Sequence, residues 1–220
     1  MPLIIFNGSP RGKNSNTTLL MDQFIAGYTH GNDNQAQVHY LIHTKDADKN
    51  MELFQDAENV ILAFPLYTDA MPGIVKHFIE ALQPLCGRSG NPRLGFVVQS
   101  GFPEPHHCRF VEAYLQKLAK RLGCEYLGTI VKGGVEGIQM MPPNMTRKLF
   151  KTFYDLGVFF AKYNAFSSEL LRELTPRENM SWLRRTIFRI LNLTGLTNFY
   201  WNMHLKKNNA WDKRFDRPFA

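Results

Sequence analysis

The sequence predicts an α/β protein with a five-stranded parallel sheet between two layers of helices, followed by a C-terminal helical extension. Short β-favouring runs alternate with amphipathic segments along residues 2–135, as in sheets with helical crossovers. The run from Asn59 to Phe64 is continuous, which is typical of a strand buried on both faces of a parallel sheet. Basic residues are concentrated after residue 143, which separates the remainder of the chain from the predicted sheet.

The first elements follow from the spacing of apolar residues. A short apolar run begins at Leu3 and stops at Asn7-Gly8, which predicts a strand. A helix is predicted after the next loop from an apolar stripe at intervals of four, formed by Leu20, Phe24 and Tyr28. Residues 37–42 predict a second strand, and the charged segment 45–58 has the length of a short helix.

The remaining elements continue the alternation. They are a strand at 59–64, a helix at 72–83 with Pro72 in its first turn, a strand at 94–99, a helix at 105–122 ending at Gly123, and a strand at 126–131. Right-handed crossovers limit the possible topologies, and among these we predict the strand order 2-1-3-4-5. In sheets of this kind the ligand lies at the carboxyl ends of the strands, where the strand order reverses.

A polar loop without any acidic residue joins the first strand to the first helix. It reads Gly8-Ser9-Pro10-Arg11-Gly12-Lys13-Asn14-Ser15-Asn16-Thr17-Thr18. The first N–H groups of a helix lack backbone partners and carry positive partial charge, so this loop suits an anion. It is neither a P-loop, because Asn14 follows Gly12-Lys13, nor a dinucleotide fingerprint, because Pro10 replaces the second Gly. Ser15 or Asn16 could be an ordinary N-cap, but capping alone requires neither an Arg nor so many donors.

Two further loops follow the third and fourth strands. They read Pro65-Leu66-Tyr67-Thr68-Asp69-Ala70-Met71-Pro72-Gly73 and Ser100-Gly101-Phe102-Pro103-Glu104-Pro105. Each combines an aromatic residue with Pro and Gly, as a flat heteroaromatic ligand requires. Generic turns between strand and helix also contain Pro and Gly. Three such loops at one edge of the sheet nevertheless favour a ligand site.

These motifs resemble those of the NAD(P)H-dependent FMN reductases of flavodoxin-like fold, a family related to the iron–sulfur flavoproteins. The resemblance spans about residues 2–135 and rests on the first loop and on the segment from Pro65 through Met71-Pro72-Gly73 to Glu80. It implies a flavodoxin-like three-layer αβα fold. The cysteine cluster of the iron–sulfur relatives has no counterpart, because no Cys precedes Cys86. Arg11 and the net charge of +7 also separate the chain from the acidic flavodoxins that carry single electrons.

The resemblance implies FMN and NAD(P)H as cofactors and a role for each loop. The residues expected to bind FMN are Ser9, Arg11, Ser15, Asn16 and Thr17 at the phosphate, Pro65, Leu66 and Tyr67 at ribityl chain and ring, and Ser100, Gly101 and Phe102 at the far side of the ring. The implied activity is hydride transfer from nicotinamide to flavin N5 and on to a flavin, quinone or similar small-molecule electron acceptor. The hydride step needs no acid–base residue, and the resemblance leaves the catalytic residues unknown. Tyr67, Ser100 and the backbone N–H of Gly101 are the candidate donors to the carbonyl edge of the ring. The alternative is a non-enzymatic FMN-binding electron carrier or redox sensor.

Composition restricts the other possible classes of protein. Three widely spaced cysteines fit neither a disulfide framework nor a zinc module, so we expect a reducing, cytoplasmic setting. The N-terminus lacks the basic region of a signal peptide, and no apolar stretch approaches the roughly 18 residues of a membrane span. His106-His107-Cys108 could suggest metal binding, but no partner residues have the required spacing and we predict no metal site.

Charge predicts the domain organisation. Residues 1–143 carry 12 Lys and Arg against 13 Asp and Glu, whereas residues 144–220 carry 14 against 6. We therefore predict a flavodoxin-like FMN-binding domain at 1–143 and a basic helical extension at 144–220, packed on the domain or on a dimer partner. One helical stripe in the extension consists of Leu149, Phe153, Leu156 and Phe160.

A second stretch of the extension, Trp182–Leu193, is a basic amphipathic helix. Its apolar residues Leu183, Ile187, Ile190 and Leu191 alternate with Arg184, Arg185 and Arg189. Such a helix can lie on a membrane surface, but more often packs on its own sheet or on a second subunit. We expect the latter arrangement in a homodimer, because relatives in the resembled family commonly dimerise near the flavin. A membrane surface and a nicotinamide phosphate are the weaker alternatives, and no nucleic-acid partner is expected because no known motif for one occurs.

Overall fold

A computed structural model describes residues 2–175 and 182–217 of the chain. Five parallel strands form one sheet in the order β2-β1-β3-β4-β5. The strands are β1 (Leu3–Asn7), β2 (Ala36–Tyr40), β3 (Asn59–Pro65), β4 (Arg93–Gln99) and β5 (Tyr126–Lys132). The predicted fold class and strand order are therefore confirmed.

Helices cover both faces of the sheet. The helices that pack on the sheet are α1 (Asn16–Tyr28), α2 (Ala47–Asp56), α3 (Gly73–Ala81), α4 (Arg109–Leu122), α5 (Pro143–Tyr163) and α6 (Ser168–Leu174). Buried residues of α2, α3 and α4 join one core, and those of α1, α5 and α6 join the other. Within β3, Val60, Leu62 and Phe64 contribute to the first core and Ile61 and Ala63 to the second. The strand is continuously apolar because both of its faces are buried.

Helices α1 and α5 pack backbone against backbone. A Cβ atom on Gly27 would overlap the carbonyl group of Tyr154, and one on Gly157 would overlap the carbonyl oxygen of Phe24. Around this contact the rings of Phe24 and Phe160 lie 5.7 Å apart, centroid to centroid. The two glycines therefore allow the helices to approach more closely than larger residues would permit.

The structure divides the chain into two compact units, Met1–Pro176 and Arg177–Ala220. The boundary predicted at 143/144 differs from this division, because it falls at the start of α5, which packs on α1 in the first unit. The basic residues of α5 explain the difference. Lys148 pairs with Glu173 at 2.9 Å, and Lys151 pairs with Asp155 on the helix surface. The basic residues of this segment thus lie on the exposed side of α5, while the other side of the helix is buried in the core.

Two buried thiols predict how stability depends on pH. Burial raises the pKa of Cys108 from 9.0 to about 11 and that of Cys124 from 9.0 to about 12. Above about pH 9 the unfolded thiols ionise while the folded ones keep their protons, so stability is complete below that pH and is lost above it. We expect the urea midpoint, followed by circular dichroism, to be lower at about pH 10.5 than at about pH 8. This decrease in the urea midpoint should be smaller for the variant Cys124→Ala than for the unchanged protein. An equal decrease in both would show that ionisation of the Cys124 thiol does not cause it.

Candidate functional site

Three loops meet at the carboxyl edge of β1, β3 and β4. The crevice between them is lined by Ser9, Arg11, Asn16, Pro65, Leu66, Tyr67, Gln99, Gly101 and Glu136. It lies at the switch point of the sheet, because β2 pairs with one side of β1 and β3 with the other. Seven of these nine residues are among the eleven predicted from the sequence; Gln99 and Glu136 are additional.

Asn7 and Thr18 hold the first loop in shape. Asn7 Oδ1 accepts a hydrogen bond from the Ser9 N–H at 2.9 Å, and Asn7 Nδ2 donates to Thr18 Oγ1 at 3.0 Å. The Thr18 hydroxyl in turn donates to the carbonyl oxygen of Gly12 at 3.1 Å. Ser15 is the N-cap of α1, and its hydroxyl accepts from the Thr18 N–H at 3.1 Å. The capping alternative considered for Ser15 is therefore what the structure shows for its side chain.

The five predicted phosphate-binding residues occupy different environments. Ser9 and Asn16 are buried and line the crevice, and Arg11 lies half-exposed at its rim. The hydroxyl of Thr17 is buried and accepts a hydrogen bond from Gln99 Nε2 at 3.3 Å. The hydroxyls of Ser15 and Thr17 thus accept hydrogen bonds within the protein, and neither residue lines the crevice. Their loop still presents the start of α1, where the N–H groups of Asn16 and Thr17 have no acceptor within the helix.

Asn16 carries the clearest sign of a ligand in this crevice. Its amide nitrogen donates to the carbonyl oxygens of Val135 at 2.8 Å and Glu136 at 3.3 Å. Its Oδ1 atom is buried without a hydrogen-bond partner in the structure. A buried acceptor left unpaired costs about 1–3 kcal/mol. A ligand hydroxyl or N–H group reaching this oxygen would remove that cost.

A fourth loop, residues 133–139 after β5, completes the site and was not predicted as part of it. Glu136 Oε1 lies 3.3 Å from Arg11 Nη2 across the rim, with both side chains half-exposed. The loop lies close to the third one, because the Gly134 N–H donates to the carbonyl oxygen of Phe102 at 2.8 Å. Only one sequence signal was available: Glu136 is the sole charged residue between Lys132 and Arg147.

The second loop contains a strained turn. Tyr67 and Ala70 exchange two backbone hydrogen bonds of 2.8 and 3.1 Å, while Thr68 and Asp69 have φ values of +49° and +60°. This is the arrangement of a type I′ turn, which a β-branched residue such as Thr68 rarely adopts. Strain of this kind is common at functional sites. The turn holds Tyr67 at the mouth of the crevice with 44% of its surface exposed.

The second and third loops are joined at their tips. His107 Nδ1 lies 3.3 Å from Asp69 Oδ1, and the His107 ring packs on Phe102 at 4.9 Å between centroids. Phe102 itself is 62% exposed beside the crevice, while Ser100 is buried and its hydroxyl donates to the Phe102 carbonyl at 3.0 Å. Of the three residues predicted from this loop, Gly101 alone lines the crevice. Within residues 2–175 and 182–217, no three His, Cys, Asp or Glu side chains come together as metal ligands.

The chain is similar to one protein family and to a set of solved structures. A family model described as having the flavodoxin-like fold matches residues 1–149. No curated protein matches the sequence. The predicted likeness to flavodoxin-like proteins is thus confirmed.

Three solved structures show the breadth of the similarity. An FMN-dependent NADH-azoreductase from Bacillus anthracis in complex with FMN is 13% identical, with 74% of this chain and 100% of that chain covered and a TM-score of 0.57. An NADPH-quinone reductase from P. pentosaceus is 16% identical, with 70% and 96% covered and a TM-score of 0.55. An NAD(P)H:quinone oxidoreductase from Methanothermobacter marburgensis is 13% identical, with 72% and 98% covered and a TM-score of 0.55. At these identities the similarity establishes a shared fold.

Proposed function

This chain belongs to a protein family with the flavodoxin-like fold, and we propose that it is an FMN-dependent NAD(P)H oxidoreductase. The observation that carries the proposal is the meeting of three sequence-predicted loops in one crevice at the switch point of the sheet. The names of its structural neighbours, an FMN-dependent azoreductase and two quinone reductases, support the same reaction class.

The first loop fits the phosphate of FMN. Ser9, Arg11 and the first N–H groups of α1 supply neutral and charged donors in a loop without any acid. Hydrogen bonds to a charged group contribute roughly 1.5–3 kcal/mol each. Micromolar affinity requires about 8 kcal/mol, so three or four such bonds and burial of the ring suffice after the cost of association. Arg11 is available because an exposed ion pair with Glu136 is worth under about 1 kcal/mol.

The rest of the crevice fits the ribityl chain and the ring. The unpaired Asn16 Oδ1 is an acceptor for a ribityl hydroxyl. Leu66 and Tyr67 offer an apolar and an aromatic surface for the ring, and Gly101 allows its polar edge to approach the backbone. We propose that the remaining predicted residues shape these loops: Ser15, Thr17, Ser100 and Phe102 all make contacts within them.

FMN held in this crevice would supply the redox chemistry, which is hydride transfer from NAD(P)H and transfer of the electrons to a flavin, quinone or similar acceptor. The chain needs no acid–base side chain for the hydride step. Its task is to expose one face of the ring and to place donors where charge develops at the carbonyl edge. The Ser100 N–H already donates to the Lys132 carbonyl oxygen at 2.9 Å, so we assign the donor role to the backbone of Gly101.

Absorption spectroscopy of the purified protein tests the proposal. We expect a yellow protein with bound FMN whose visible band is bleached by NADH or NADPH without oxygen, and restored by a quinone. Flavin that binds but is not bleached would favour the electron carrier or redox sensor. A protein that remains colourless after incubation with excess FMN would contradict both assignments.

The homodimer and the cytoplasmic location remain predictions from the family resemblance and the composition. Light scattering at micromolar concentration tests whether the protein is a homodimer. A monomeric mass would contradict the dimer.

A further inference from the structure

The second unit exposes the apolar side of an amphipathic helix. Helix α7 (Trp182–Leu193) is followed by α8 (Phe199–Lys207). On α7 six large apolar residues are between 48% and 88% exposed. Phe188 lies on the other side of the helix, and the remaining five are Trp182, Leu183, Ile187, Ile190 and Leu193. At 100° per residue these five share one half of the helix circumference. They therefore form a continuous apolar face, here called the α7 face, which comprises those five residues.

The charge around the α7 face has one sign. Residues 182–211 contain five Lys and Arg and no Asp or Glu, and residues 182–217 contain eight against two. Arg185 and Arg189 are four residues apart along the border of the α7 face next to Trp182, and both are exposed. A helix with an apolar side, a basic side and a Trp at the boundary is the pattern of peptides that lie in the surface of anionic bilayers.

We propose that the second unit attaches the protein to an anionic bilayer surface, with α7 lying in the plane of the interface. The apolar face enters the acyl boundary while Arg185 and Arg189 remain among the phosphate headgroups. No helix within the described ranges is long and apolar enough to cross a bilayer, so attachment is peripheral.

Charge also distinguishes the bilayer from other partners. A second copy docked through the same face would bring together two units that each carry a large positive excess and repel one another. A nucleic acid would use the arginines but leave the apolar face exposed to water. An anionic lipid surface satisfies both sides of the helix at once.

Tryptophan fluorescence of the full chain tests the proposal directly. The three tryptophans of the protein are Trp182, Trp201 and Trp211, so all of the tryptophan emission comes from the second unit. In the variant Trp201→Phe/Trp211→Phe, Trp182 is the only reporter. We expect its emission to shift to the blue and the protein to sediment with vesicles of phosphatidylcholine containing about one third phosphatidylglycerol. High salt should reverse both changes.

Paired variants separate charge from apolar contact. Arg185→Gln/Arg189→Gln should weaken binding to the anionic vesicles about tenfold or more. Lys117→Gln/Arg121→Gln on α4 removes the same charge from the first unit and should leave binding unchanged. Ile187→Ser/Ile190→Ser should abolish the blue shift, and circular dichroism verifies that each variant is folded.

Three results would overturn the proposal. The first is the absence of sedimentation with anionic vesicles, and the second is equal binding to vesicles of phosphatidylcholine alone. The third is Trp182 emission that is already blue without vesicles in a dimer that Ile187→Ser/Ile190→Ser dissociates. That outcome would assign the α7 face to a second copy of the chain. None of these readouts depends on bound flavin or on activity.

Discussion

Replacing Gly157 by Ala is expected to lower the free energy of unfolding by about 1–3 kcal/mol. The added Cβ would overlap the carbonyl oxygen of Phe24 in α1. That obstacle is backbone, which cannot rotate away as a side chain does, so α1 and α5 must separate and loosen the aromatic core between them. The higher helix propensity of Ala returns only about 1 kcal/mol of the loss.

Chemical denaturation with matched substitutions measures this effect. Gly73→Ala, at the start of α3, is the control because no atom lies within 4 Å of its would-be Cβ. Gly27→Ala should destabilise the protein similarly, since it meets the carbonyl of Tyr154 in the same interface. The double variant Gly27→Ala/Gly157→Ala should lose less free energy of unfolding than the two single variants lose together, because either substitution alone already separates the helices. An unchanged urea midpoint for Gly157→Ala would show that the two helices do not pack this closely in solution.

The sequence identified the sheet because its signals are local. The β3 run is apolar because both faces are buried, and the spacing of Leu20, Phe24 and Tyr28 matches the buried side of α1. The domain boundary lacked such a local signal. Helix α5 is basic on its exposed side and apolar at Phe153, Leu156 and Phe160, so a count of charges cannot distinguish a core helix from an appendage.

The site could be predicted to the level of loops but not of individual side chains. Topology alone brings the carboxyl ends of parallel strands to one edge, so the sequence was sufficient to choose three of the loops. Which side chains face the crevice depends on long-range contacts. Thr17 binds Gln99, and Asn16 reaches across to Val135, more than a hundred residues along the chain. No spacing rule connects such residues, which is also why Glu136 was missed.

Replacing Arg11 by Gln is expected to weaken FMN binding by about 10- to 100-fold, because the variant loses a charged hydrogen bond to the phosphate worth roughly 1.5–3 kcal/mol. Riboflavin is the matched ligand, since it has the same ring and ribityl chain without the phosphate. The affinity of the protein for riboflavin, measured by calorimetry or by quenching of flavin fluorescence, should be the same with and without Arg11→Gln. Lys13→Gln removes an equal charge from the same loop and should have a smaller effect, because Lys13 does not line the crevice.

The opposite change is expected at Glu136. Its carboxylate competes for Arg11 at 3.3 Å and faces the position proposed for a phosphate that carries up to two negative charges. Glu136→Gln frees the guanidinium and removes a like charge, which should strengthen FMN binding several-fold and leave riboflavin binding unchanged. The gain should shrink at high salt, where exposed charges are screened. In the double variant with Arg11→Gln, the part of the gain that comes from releasing Arg11 should disappear. If Arg11→Gln weakened riboflavin as much as FMN, Arg11 would instead maintain the shape of the loop, and the phosphate would have to bind elsewhere.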